Sequence, residues 1–412
     1  MNPFEHDCKR REALLMDWRM LWPKPYDKCA VDPYTRTRVI LMNGTEFENV
    51  WFSHQFSRNT EDNALRRQLA LLRRSEQQQQ KLISALKPPD ETVLEHTIGY
   101  EQLAVDLTAH LGGRVSNPNL KNALDFALLE DFDHLYRYAD LMEMHSGMHA
   151  ETLVGGYTEI MPGRPTIAEH RHPLEAVNKP ICGKEAALLT RLQVGIITAA
   201  EQQTMNFYMN IGNTYAEEWG RKLYQEIAMI EEQHVSEYGS LKDPEMTPAQ
   251  CLLMHDYTAS YLYYSCMKEE SDPAVRHIWE QGFEQTVAQL HRSAALLEKT
   301  EGMHWQQVIA EGSYPQLLTL GANIDYVRGI LGATVHNTKK REGYADVRSL
   351  PDDADFFRYQ RAVNPDVNIV PSHMVIREII RKNGEDYRYE TADHPVPELC
   401  SRKMDNVSIG RK

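Results

Sequence analysis

Two acid-and-histidine sets, offset by one hundred residues, limit what this chain can fold into more than any other feature. The first is Glu101 followed by Asp131 and His134; the second is Glu201 followed by Glu231 and His234. In each, thirty residues separate the leading glutamate from an acid that precedes the histidine by three, and Tyr138 or Tyr238 follows by four. Spacings of three and four put side chains on one face of a helix. The face around Glu101 reads Leu94, Ile98, Val105, Thr108, and that around Glu201 reads Val194, Thr198, Met205, Tyr208. Asp131 and His134 share a face with Leu124, Leu128 and Tyr138, and Glu231 and His234 with Tyr224, Ile227 and Tyr238. Every acid thus points into a largely apolar stripe. Burying one ionised carboxylate there without a partner costs several kcal/mol, and four facing one core also repel. Two divalent cations balance four carboxylates and two imidazoles, and these are the donors such ions take. Acid–histidine hydrogen bonds without metal are the competing account, and for one isolated pair they are the stronger one.

The rest of the chain reads as helices with irregular ends. Residues 1–60 form an N-terminal arm, with a β-hairpin expected at Thr37–Phe52 because Asn43-Gly44 is a favoured type I′ turn pair. A polar helix over about 61–86 carries the densest basic cluster, Arg66, Arg67, Arg73 and Arg74, read as a solvated face. Pro88-Pro89-Asp90 opens a helix over 91–111, and Asn117-Pro118 opens another that ends at Ser146-Gly147. The Gly-, Pro- and His-rich stretch 154–180 suits a long crossover, with His170-Arg171-His172 expected as solvated loop. Helices over 184–210 and 213–240 follow, then two more at 247–270 and 273–300. The organisation expected is a helical domain over 61–300, flanked by the arm and by a mostly loop extension over 301–412 with one short helix near Ser372–Lys382. His145 and His149 read as a surface pair, Glu284 and His291 as a satisfied polar pair, and Tyr138, Tyr238, Tyr261, Tyr263 and Tyr264 as packing aromatics.

The repeated pattern resembles the ferritin-like di-iron carboxylate proteins, whose bundle carries single glutamates on two helices and Glu-x-x-His on the other two. The match covers about residues 91–240. It implies an all-α fold: a ferritin-like four-helix bundle with a long crossover, two additional C-terminal helices, the short N-terminal β-hairpin and irregular terminal arms. It also implies that Glu101, Asp131, His134, Glu201, Glu231 and His234 hold two iron ions and do the chemistry. One departure stands out. The first motif reads Asp-x-x-His, and Glu130, one turn from His134, is a candidate either for the metal or for a supporting contact.

Composition bounds the function. The 412 residues are 42% hydrophobic and carry a formal net charge of −14, so no basic stripe fits a phosphate backbone and no nucleic-acid partner is expected. No apolar run reaches the length of a span and the N-terminus lacks an apolar signal core, so a cytoplasmic protein without a membrane partner is expected. Six scattered cysteines (Cys8, Cys29, Cys182, Cys251, Cys266, Cys400) without a Cys-x-x-Cys pair read as reduced thiols. The resemblance implies an oxidoreductase that uses dioxygen as co-substrate to oxidise a small organic molecule. No flavin, dinucleotide or iron–sulfur fingerprint appears, so electrons come from an external reductase or ferredoxin, or from the substrate. A homodimer is expected. The alternatives are a di-manganese catalase or other peroxide-handling enzyme on the same ligands, iron storage, and a non-enzymatic metal-binding or scaffold protein.

Overall fold

The computed structural model describes residues 1–8, 14–163, 169–388 and 394–399. Cys400 lies outside them; the other five cysteines are free thiols. Twelve α-helices and one two-stranded antiparallel sheet occur among the described residues, and no described helix is long and apolar enough to cross a membrane. The chain forms two compact units: Met1–Glu91 with Cys182–Gln203 and Asp243–Thr319, and Thr92–Ile181 with Thr204–Lys242 and Leu320–Lys412.

In the first unit α1 (Pro33–Arg58), α2 (Asn63–Ser84), α8 (Pro248–Glu269) and α9 (Pro273–Glu301) pack in a ring, α1 on α2 and α8, α9 on α2 and α8. Their starts are written in the sequence. The Asp32 side chain accepts from Tyr34 N at 2.8 Å with Pro33 at the first position, Thr247 and Gln250 form a capping box on α8, and Asp272 with Pro273 repeats the α1 device on α9. α1 corrects the expected hairpin at 37–52. Its residues are buried on nearly every side, and Gly44 sits mid-helix where an added Cβ would stand 2.8 Å from Gln203 Cβ and 3.0 Å from Ala199 O. Close approach of a neighbouring helix, not a turn, accounts for the glycine.

The second unit holds α3 (Val93–Gly112), begun by the Thr92/Glu95 capping box, and α4 (Pro118–Ser146), begun by Asn117 and ended by Gly147 at φ +69°. α3 packs along α4, and α7 (Glu218–Ser240) packs on α4. A short α5 (Glu151–Val154) follows α4 and touches α3. α6 (Leu188–Ile211) belongs to the first unit up to Gln203 and to the second from Thr204. The C-terminal segment adds α10 (Ile324–Thr334), α11 (Asp355–Val363) and α12 (Pro371–Asn383); α12 falls where one short helix is expected, while α10, α11 and a hairpin correct the reading of the rest of the extension as loop. The sheet is a hairpin of β1 (Asn337–Lys340) and β2 (Gly343–Asp346), with Lys339 opposite Tyr344 and Arg341 at φ +54° in the turn.

Candidate metal centre

Five of the six residues singled out in the sequence lie together inside the second unit. Ligand atoms of Glu101, His134 and Glu231 fall within 4.8 Å of one another, and so do those of Asp131, Glu231 and His234. Glu231 is common to both groups. All five are at most 1% exposed. The sixth, Glu201, is equally buried, on the part of α6 that belongs to the first unit.

The two imidazoles are set alike. His134 Nδ1 is 3.0 Å from Glu231 Oε1 and its Nε2 is 3.3 Å from Glu169 Oε2. His234 Nδ1 is 3.3 Å from Glu231 Oε2 and 3.4 Å from Asp131 Oδ1, and its Nε2 is 2.7 Å from Glu130 Oε2. Each ring therefore turns Nδ1 toward the shared glutamate and Nε2 toward a second buried carboxylate. A carboxylate hydrogen-bonded at the far nitrogen, as Glu130 is at His234, holds the proton there and leaves Nδ1 as a lone-pair donor; at His134 the Glu169 contact is the looser one and Nδ1 makes the hydrogen-bonding contact to Glu231. This geometry separates Glu130 from Asp131. Glu130 stands behind His234 and is also 3.1 Å from Arg171 Nη1, while Asp131 faces the histidine's inner nitrogen.

The remaining contacts fix the acids. Tyr208 donates its hydroxyl to Glu101 Oε1 at 2.5 Å, and Thr108 donates to Asp131 Oδ2 at 3.2 Å. Among the described residues no hydrogen bond reaches Glu101 Oε2, Asp131 Oδ1 or Glu231 Oε2. Burial lifts the Glu101 carboxyl well above the usual range, and pushes Asp131 up to about 7 against the pull of His234. Glu231 goes the other way: burial opposes its charge, but the imidazoles of His134 and His234 beside it outweigh that and hold its carboxyl low. Burial disfavours the His134 cation too, yet Glu169 and Glu231 raise its affinity for a proton. Acids that keep protons in the fold, with oxygens aimed at one another and unbonded, form a set that divalent cations can occupy by displacing those protons.

Sequence reasoning missed Glu169, which has no helical spacing to reveal it. It sits in the crossover, where the expected solvated loop is corrected: Glu169, His170 and Arg171 are buried. His170 Nε2 is 3.0 Å from Glu226 Oε1, and Arg171 N donates to Gln233 Oε1 at 3.2 Å. Arg171 Nη1 also lies 3.3 Å from Glu237, which takes the buried Lys339 at 3.1 Å and the Tyr344 hydroxyl. Two buried glutamates need a cation between them, and the crossover supplies it. Asp133, two residues after Asp131, accepts from Arg137 at 2.9 Å and from Gly163 N at 3.3 Å, so it anchors the crossover.

The other marked residues fall outside the centre. Tyr138 packs on Tyr208 and Tyr224, with ring centroids 5.2 and 4.9 Å apart, and its buried hydroxyl has no hydrogen-bond partner among the described residues. Tyr238 is fully buried, its ring centroid 6.4 Å from that of His234. His145 pairs with Glu217 on the surface at 3.1 Å, and His149 is 3.8 Å from Glu143. Glu284 and His291 tie the N-terminal segment to α9 through His6 at 2.8 Å and the Pro3 carbonyl at 3.0 Å. A second buried acidic group, Glu46, Glu76 and Asp256, lies in the first unit.

No protein-family model, curated protein or solved structure matches the chain. What the molecule itself defines is a mostly helical protein with a buried acid–histidine cluster able to hold metal.

Proposed function

We propose that the chain is an oxygen-dependent, non-haem di-iron oxygenase or oxidase acting on a small organic substrate, built on a ferritin-like helical bundle. The observation that carries this reading is the matched pair of imidazoles, both with Nδ1 at Glu231 and both backed at Nε2 by a buried carboxylate. A structural acid–histidine pair has no need of a second carboxylate behind each ring or of a glutamate shared between rings. Glu101, His134 and Glu231 would hold one ion and Asp131, Glu231 and His234 the other; the sequence repeat adds Glu201 to the set. Iron in such a site supplies redox chemistry with dioxygen.

The protein's own part follows from its contacts. With ions bound, Glu130 and Glu169 would stand behind the far nitrogens and set the histidine tautomers, and Arg171 holds Glu130 in place. Tyr208 orients Glu101, so that one carboxylate oxygen is committed and the other is left for the ion. The buried aromatic wall of Tyr138, Tyr208 and Tyr224 keeps water from the centre. Electrons would come from a separate reductase or ferredoxin, or from the substrate.

The test is elemental analysis of protein loaded anaerobically with ferrous iron, followed by reductant-driven oxygen uptake. About two irons per chain with oxygen consumption is expected. Manganese uptake with peroxide dismutation would move the assignment to peroxide chemistry. A chain that holds no metal after reconstitution would make the buried set structural and end this reading.

A further inference from the structure

Residues 14–22 of the first unit form a strap whose two sides differ. On the inner side Met16 and Leu21 are buried with Leu82 of α2, against Ile278 of α9. The Gln78 amide clamps the Met16 backbone twice, accepting from Met16 N and donating to Met16 O, both at 2.8 Å. Ser75 Oγ donates to Leu14 O at 3.0 Å, and Asp17 caps a 3₁₀ turn over Trp18–Leu21. On the outer side stand Leu15, Trp18, Met20 and Trp22, 51%, 80%, 40% and 80% exposed. A backbone pinned this firmly is not a frayed end, and it holds two indoles almost wholly in water. Four large apolar side chains exposed within eight residues of a pinned backbone mark a surface that is covered in use.

The neighbouring charges say by what. α2 exposes Arg66, Arg67, Arg74 and Lys81, while its one acid, Glu76, is buried. Lys24 follows the strap, and Arg19 is paired with Asp17 at 2.9 Å. This is a cationic face on a chain of net charge −14. Between strap and helix runs a groove of about 500 Å³, edged by Trp18 and lined by Asn43, Arg74, Gln77, Lys81 and Ser84, with no carboxylate in its wall.

We propose that this face docks on an anionic lipid bilayer, with Leu15, Trp18, Met20 and Trp22 entering the interfacial layer and the groove receiving a headgroup phosphate between Arg74 and Lys81. Indoles settle at the level of the headgroups, and basic side chains beside them are drawn to anionic leaflets. A single-stranded nucleic acid would use the indoles and the cations but has no use for Leu15 and Met20, which offer no ring to stack on. The expectation of no membrane partner rested on spanning segments, and a strap lying on a surface is outside that criterion.

The experiment is co-flotation of the full-length chain with phosphatidylserine/phosphatidylcholine vesicles (about 3:7) and with phosphatidylcholine alone, with tryptophan emission recorded in parallel. The expected result is flotation and a blue shift with the anionic vesicles, both reversed by high salt. Lys24, Arg74 and Lys81 are each worth about fivefold near such a surface, so phosphatidylcholine alone should bind roughly a hundredfold more weakly. Trp18→Ala/Trp22→Ala should abolish flotation, and Arg74→Glu/Lys81→Glu should reduce it. Both pairs are exposed, so circular dichroism and melting should match the parent chain. Equal affinity for both vesicles, unchanged flotation of the tryptophan variant, or tighter binding to oligo-dT would overturn the proposal. So would a dimer in sedimentation velocity that the tryptophan variant dissolves.

Discussion

Glu76→Gln is the substitution whose effect can be worked furthest from the structure. Glu76 is wholly buried, neither of its oxygens has a hydrogen-bond partner among the described residues, and burial together with Asp256 and Glu46 lifts its carboxyl well above the usual range. Burial pushes Glu46 up to about 8 and Asp256 up to about 7, although Tyr263 and Ser293 donate to them. These acids hold protons in the fold that the unfolded chain releases above its ordinary carboxylate range. The stability they allow is complete at low pH and is lost as pH climbs toward the raised values. Each such proton costs the fold about 1.4 kcal/mol per pH unit, or roughly 2.7 kcal/mol between pH 5 and pH 7. Glutamine has the same shape and no proton to lose. Urea unfolding of parent and variant at pH 5, 6, 7 and 8 should therefore show little difference at pH 5. Above that, a gap in the variant's favour should widen by about 1.4 kcal/mol per unit. A gap that stays constant with pH, or that favours the parent more as pH rises, would refute the reasoning.

Other outcomes can be checked as directly. Glu231→Ala or His234→Ala should lose at least one metal ion per chain by elemental analysis, whereas Glu284→Ala, whose partner is His6, should leave the stoichiometry unchanged. Glu130→Gln and Glu169→Gln should keep the number of ions but weaken their binding by about 10- to 100-fold in a chelator competition, as loss of a carboxylate behind a ligating histidine does. Gly44→Ala should destabilise the chain by about 1–3 kcal/mol in chemical denaturation, because the new methyl meets Gln203 and the Ala199 carbonyl. In a helix free of that contact the same change would stabilise by about 1 kcal/mol, so the sign alone decides.

Helices were legible here because their ends are. Asn117-Pro118 and Gly147 bracket α4, and Asp272-Pro273 and Gly302 bracket α9, each within a residue or two of where the sequence places them. Asn43-Gly44 misled for a physical reason. The pair favours a turn locally, but the turn competes with a helix that buries Val39 through Met42 and brings another backbone against the glycine. Tertiary contact won, and nothing within eight residues announces it. In the cluster, the helical acids and histidines were visible through three-residue spacing, while Glu169 comes from a stretch with no period at all. The choice between Glu130 and Asp131 needed coordinates, because adjacent residues differ by only about 100° around a helix and either can reach one turn onward. The structure gives the two acids different work.

Lys339 sits at the tip of a chain of buried charges: it meets Glu237, Glu237 meets Arg171, Arg171 meets Glu130, and Glu130 meets His234. Read from the other end, the hairpin that arrives last in sequence closes a row of alternating signs begun a hundred and more residues earlier. Such a row cannot be shortened by one member without stranding the next. Clipping the protein before residue 337 would leave Glu237 short of a counter-charge and shift Arg171 toward it, loosening its hold on Glu130. The extension is the outermost clasp in the row that ends at the histidine.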